Sequence, residues 1–336
     1  GAADGMLTLH GDTLHFAFPE VHKKARCGVN FSRTLRVPDN SRPFLWPPLL
    51  GQLPVHPVDD HLDRLPEAWG QHGGVFLPMY QSEALSLNFP ESYPFAVKVG
   101  AGKINVVTGE PWRSELLPGH QDYVVSSQNR FLDGFNVGEQ QVRQFVAMPL
   151  GEGYTPEEQL TGQAEYGGLQ ILVYPMKVEA FRDLYGARAD SDDEYWDQKP
   201  SFCRLGPPKG QQPEMGLAPG GVVKQMTVRD RYGYDAWDQT RWGRCFVHLL
   251  NSQQYHAVTG TKLPYPPPQR RDYRQRRLPW YHHYSEDEPV ESSGILAKLT
   301  SLATWFQAKH GQPLPDNDPP GPVAIRPIQA RSVRSG

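Results

Sequence analysis

Phe95-Ala96-Val97-Lys98-Val99-Gly100-Ala101-Gly102-Lys103-Ile104-Asn105-Val106-Val107 is the stretch on which the fold class turns. Two runs rich in β-branched and aromatic residues, 95–99 and 104–107, flank Gly100-Ala101-Gly102. A short glycine-bearing connection between such runs reads as an antiparallel hairpin. The Gly102-Lys103 pair has a superficial likeness to a phosphate-binding loop. That loop needs a glycine five residues before the Gly-Lys pair and a hydroxyl after the lysine, and Val97 and Ile104 stand there. The hairpin reading therefore prevails, and no G-x-G-x-x-G follows a strand elsewhere.

The same signature extends outward on both sides. Leu7 and Leu9, then Leu14, Phe16 and Phe18, alternate with polar residues around Gly11-Asp12, which predicts an opening hairpin. Further strands are expected at 31–37, 75–77, 85–87, 123–125, 142–148, 169–174 and 222–228. Residues 38–72 hold seven prolines and read as a long wrapping loop, because each proline removes a ladder donor. Their Phe44, Leu45, Trp46, Leu49, Leu50 and Leu53 require that this loop pack on the body. Helices are expected at 177–185, at 240–258 (apolar at 242, 246, 249 and 250) and at 294–309, the last capped by Ser293 and stopped by Gly311.

Composition agrees. Of 336 residues, 32 are Gly and 33 are Pro, and this density of breakers favours short strands over long helices. The fold class expected is mainly β: an antiparallel β-sandwich-like core with long Pro-rich loops and two or three peripheral helices. Residues 1–5 read as an expression scar before Met6, residues 6–230 as the β-rich core, 231–310 as a helical and loop segment packed on it, and 311–336 as a Pro-rich tail. One integrated body is expected, because the apolar loop residues need the β-core to cover them.

A formal charge of −3 supplies no field for nucleic acid, despite the basic cluster Arg270, Arg271, Arg274, Arg276 and Arg277. No window reaches the roughly 20 apolar residues of a membrane helix. Cys27, Cys203 and Cys245 are an odd set without metal-ligand spacing, which fits a reducing, cytoplasmic setting. No cofactor is expected. No metal site is expected either: His282 and His283 are adjacent and point apart, and the acidic run at Asp190, Asp192, Asp193 and Glu194 lacks the calcium-loop spacing.

The residues with chemical capacity lie on the central strands. Glu83, Asp122, Asp133 and Glu165 are the candidate catalytic carboxylates, and Lys98, Arg143 and Gln144 the candidate binding residues. Carboxylates and a cation gathered in one pocket could do acid–base work; the same groups could equally be structural pairs or the polar face of half-buried strands. Cys245 and His248, at i and i+3 of the expected helix, would share a face as a nucleophile pair, although a core cysteine is the plainer reading.

Longer motifs carry a resemblance. Met79-Tyr80-Gln81-Ser82-Glu83-Ala84, Thr108-Gly109-Glu110-Pro111-Trp112, Gln121-Asp122-Tyr123-Val124-Val125 and Leu132-Asp133-Gly134 belong to it. So do Val142-Arg143-Gln144-Phe145-Val146-Ala147-Met148-Pro149-Leu150-Gly151, Gly216-Leu217-Ala218-Pro219-Gly220-Gly221 and Leu278-Pro279-Trp280. From about residue 31 to 312 the chain resembles a family of uncharacterised bacterial and fungal proteins. Some of its members are fused to a ubiquitin-like domain, and some are labelled integral membrane proteins. Phe131 stands where that pattern has Trp, and Tyr281-His282-His283-Tyr284 where it has an acidic-aromatic stretch. The resemblance implies no activity; the ubiquitin-like fusions suggest an intracellular adaptor. The function expected is a non-catalytic binding, scaffold or self-assembling protein, whose partner is a protein, a polymer or further copies of the chain. The alternative is a carboxylate-dependent hydrolase acting on a glycan or other polar polymer, which requires two carboxylates converging in a cleft.

Overall fold

The computed structural model describes residues 5–40, 42–164, 166–192, 215–267, 280–284, 288–314 and 325–329. Strands account for 35% and helices for 19%, which places the chain in the mainly β class. A nine-stranded sheet contains β1 (Met6–His10), β2 (Thr13–Ala17), β3 (Arg26–Thr34), β4 (Leu49–Gln52), β7 (Ala84–Asn88), β11 (Phe131–Leu132), β12 (Gly134–Gly138), β13 (Gln141–Pro149) and β15 (Met215–Val223). A seven-stranded sheet contains β5 (His56–Pro57), β6 (Val75–Pro78), β8 (Phe95–Ala101), β9 (Ile104–Asn105), β10 (Val124–Val125), β14 (Leu169–Pro175) and β16 (Gly243–Leu250). Within the two sheets all pairings are antiparallel except that of β16 with β6. A separate parallel pair joins β17 (Trp280–Tyr284) to β18 (Ile325–Gln329).

The hairpins form where the alternation predicts them. Met6–His10 pairs with Thr13–Ala17 across Gly11, and Gly100 and Ala101 pair with Asn105 and Ile104 across Gly102-Lys103. Gly11 and Gly102 both have positive φ, which a side chain resists and glycine does not.

The strand period of two sorts each sheet into faces. Phe16, Val29, Phe31, Leu85, Leu87, Phe135 and Phe145 point from the large sheet into the sandwich, and Val97, Val99, Ile171, Val173, Cys245 and Val247 point back from the small one; all are buried in one cluster. The large sheet is apolar on its other face too. Ala84, Val146, Met148 and Ala218 lie there beneath Leu302, Trp305 and Phe306 of a C-terminal helix, while Val142 and Val223 lie beneath Leu35, Val37 and Trp46.

Residues 38–72 are more than a loop. They contain β4, β5, a 3₁₀ turn at Val58–His61 and the helix α1 (Glu67–His72), with Pro66 at its N-cap, where a missing N–H costs nothing. The stretch that leads into the segment is tied to the large sheet. Gln144 Oε1 accepts from Val37 N at 2.7 Å and Gln144 Nε2 donates to Leu35 O at 2.9 Å.

The other helices are short: α2 (Pro156–Thr161), α3 (Val178–Tyr185), α4 (Ser252–Thr259) and α5 (Leu302–His310). The expected helix over 240–258 is a strand followed by a helix. Pairing with β14 on one side and β6 on the other holds 243–250 extended, and tertiary pairing outweighs local spacing. The helix begins only where Asn251 accepts from Gln253 N and Gln254 N. The helix expected over 294–309 is broken likewise: Leu296–Lys298 is one 3₁₀ turn, Leu299 is extended, and Ser301, not Ser293, caps α5. Gly311 ends it in the left-handed conformation, as its sequence position predicts. The strand expected at 222–228 lies earlier, at 215–223, and that expected at 31–37 lies at 26–34.

Truncation should separate core from surface. Phe145→Ala should cost about 3–5 kcal/mol in urea unfolding, whereas Leu184→Ala, on the exposed side of α3, should stay within about 0.5 kcal/mol. Equal effects at the two positions would refute this layering.

Candidate functional site

The four carboxylates singled out from sequence do not form one open centre. Glu83 precedes β7 and is buried; its Oε1 accepts from Arg33 Nε and its Oε2 from Tyr80 N at 3.1 Å. The Arg33 guanidinium lies 3.8 Å above the Tyr265 ring and donates to Pro266 O. Burial raises the Glu83 carboxyl, with Arg33 opposing the rise. Asp122, just before β10, is held by Lys98 of β8: Nζ lies 2.8 Å from Oδ2, with the side chains 0% and 3% exposed. Asp133 accepts from the Trp46 indole and from Gln225 Nε2 at 2.7 Å, all on Oδ2. The Ser86 hydroxyl is near enough to favour the charged carboxylate, yet neither it nor Asp133 Oδ1 completes a hydrogen bond of good geometry. Burial pushes Asp133 up to about 6. Glu165 lies outside the described residues.

The candidate binding residues are occupied in the same way. Arg143 Nη1 donates to Asp39 Oδ1 at 3.0 Å and to Gly220 O at 2.9 Å, and Gln144 holds the 35–37 backbone. Each of these groups anchors a loop or strand end to the sandwich. Cys245 and His248 also part company. They sit on opposite faces of β16, Cys245 in the core and His248 outside it, because three residues along a strand reverse the face.

The outer face of the small sheet carries a more open feature. Arg244, Phe246 and His248 alternate outward along β16, and Gln170 of β14 stands opposite Phe246 in register. Gln170 Nε2 donates to Gly102 O at 2.8 Å. The helix α1 lays Trp69 flat on His248, ring centres 4.3 Å apart and 16° from parallel. His72, three residues on and hence on the same helix side, meets Phe246 and Tyr166, each at 4.9 Å. Arg244 stands over the Phe246 ring at 5.2 Å and Lys103 over Tyr166 at 5.3 Å. Together these rings line a shallow recess between α1, β14 and β16 with a cavity volume of about 70 Å³.

His248 Nε2 donates to Gly73 O at 3.0 Å, which fixes the tautomer and makes Nδ1 the acceptor. Burial lowers this imidazole to about 4, with the nearby His72 adding to the fall. The recess therefore presents aromatic rings with a neutral His248 inside and Arg244 at its rim. No group of three or more histidine, cysteine or carboxylate side chains suited to a metal occurs among the described residues.

Local patterning conceals this recess. Its helix α1 lies in the Pro-rich segment whose composition predicts a loop, and its strand β16 in the segment whose spacing predicts a helix. The outward alternation of residues 244, 246 and 248 was the available signal. No family model, no curated protein and no solved structure matches the chain.

Two proton-linked effects of opposite sign follow. His248 is lower in the folded protein than the usual 6.5, so its contribution is present above pH 6.5 and lost as pH falls through about 4. Asp133 is higher than its usual 3.8, so its contribution is present below that value and lost as pH rises through about 6. Each is on the order of 3 kcal/mol at most. Urea unfolding from pH 4 to 8 should show His248→Asn flattening the rise in stability across pH 4–6.5. Asp133→Asn should remove the opposing fall across pH 4–6. Unchanged slopes in either variant would contradict the assignment.

Proposed function

We propose that this chain is a non-catalytic binding protein and that the aromatic recess between α1, β14 and β16 is its binding surface. The observation that carries this reading is the convergence of Trp69, His72, Tyr166, Phe246 and His248 beside a polar amide and the Arg244 guanidinium. Aromatic faces hold flat rings by stacking and dispersion, and a few fixed polar groups orient what they hold. Arg244 at the rim favours a ligand whose edge carries negative charge. The ligand class proposed is accordingly a ring-bearing acid, such as an aromatic carboxylate or an acidic sugar unit of a polymer.

The hydrolase alternative has little geometric support. Glu83, Asp122 and Asp133 are each buried against a different partner, and a polymer needs solvent-open carboxylates flanking its scissile bond. Cytoplasmic residence belongs to the same proposal: Cys27 and Cys245 are free thiols in the core. No helix among the described residues is long and apolar enough to cross a membrane.

Titration with uronic-acid oligosaccharides and aromatic carboxylates, followed by intrinsic tryptophan fluorescence and calorimetry, tests the reading. Binding is expected, and Phe246→Ala should weaken it about tenfold, the equivalent of one good stacking contact. Arg244→Ala should weaken binding of the charged ligand more than that of its neutral ester. Binding indifferent to both substitutions would place the site elsewhere.

A further inference from the structure

Lys98 and Asp122 stand apart from the other buried pairs. Residues 97 and 124 are partners in the β8–β10 ladder, so the backbone itself holds the two side chains together. Nζ lies 2.8 Å from Asp122 Oδ2 and donates to Glu115 O at 2.6 Å. The hydrogen bond to Oδ2 puts Nζ close to the roughly 3–3.5 Å separation at which an attack on Cγ begins. Asp122 Oδ1 and Trp112 Nε1 are buried without hydrogen-bond partners, and the Trp112 ring centre is 5.8 Å from Nζ.

We propose that Lys98 and Asp122 condense to an intramolecular amide, a covalent tie between β8 and the segment entering β10. The lysine ammonium carries all the protons the reaction uses. One passes to Asp122 Oδ2 along the existing hydrogen bond, leaving a neutral amine and a carboxylic acid. The amine lone pair then attacks Cγ, and the N–C bond forms as the C=O π bond opens onto Oδ1. A second proton moves from nitrogen to the Oδ2 hydroxyl; the C–Oδ2 bond breaks, water leaves and the carbonyl reforms. The third proton remains on the amide nitrogen, where Glu115 O accepts it. Nothing is oxidised or reduced, and no co-reactant is required.

The surroundings favour the forward direction. Two charges buried together pay a desolvation cost that a neutral amide does not. Burial lowers the Lys98 ammonium despite Asp122 beside it, which favours the amine form. Exclusion of solvent removes the water that would reverse the reaction.

The test is the intact mass of the full chain, folded for days at neutral pH and then measured under denaturing conditions. The expected species is lighter than the sequence by one water. Trypsin should fail to cut after Lys98 and should release the Lys98 and Asp122 peptides as one branched product. Lys98→Arg keeps a cation for Asp122 but lacks the nucleophile, so it should return to its full sequence mass. A wild-type chain at full sequence mass would overturn the proposal, as would a missing water that persists in Lys98→Arg.

Discussion

An apolar sheet face cannot remain in water, and the large sheet has two of them. One is satisfied by the small sheet; the other must be covered by something that is neither a sheet nor a long helix. The chain answers with a Pro-rich segment and a nine-residue C-terminal helix. Prolines suit this task because an overlay needs few ladder donors and gains from having less conformational freedom to lose. Polar anchors then set where the overlay lies. Gln144, Asp133 and Arg143 each reach out of the sheet to hold one point of it.

Those anchors explain why chemically capable residues sit among apolar runs without gathering into one open cleft. A buried carboxylate is costly unless it is bonded, and once bonded to a loop it specifies that loop's place. The open surface of the small sheet lies instead where covering is incomplete. Over the small sheet, the 106–123 segment and α1 shelter the two ends of the outer face, and the aromatic recess is what remains between them.

The parts legible in the sequence are those decided by neighbours. The 6–17 and 95–105 hairpins follow from alternation and glycine, and the end of α5 from Gly311. Residues 243–250 were not legible, because their apolar spacing fits a helix as well as a strand and only β14 and β6 arbitrate. Proline density hid the α1 helix, since Pro66 begins it and does not interrupt it. The carboxylates were visible as residues, but their partners were not. Trp46 and Asp133 are 87 positions apart, and nothing local announces such a meeting.

The order of strands in the small sheet bears on how the chain comes off the ribosome. β16 lies between β14 and β6, so the sheet stays open at its centre until residue 250 has emerged. Until then β6 has only the two-residue β5 beside it, and its other edge is bare. A nascent chain in that condition exposes an apolar strand edge for seconds at ordinary elongation rates of about 5–20 residues per second. Closure of the small sheet thus waits on a strand synthesised about 170 residues after β6.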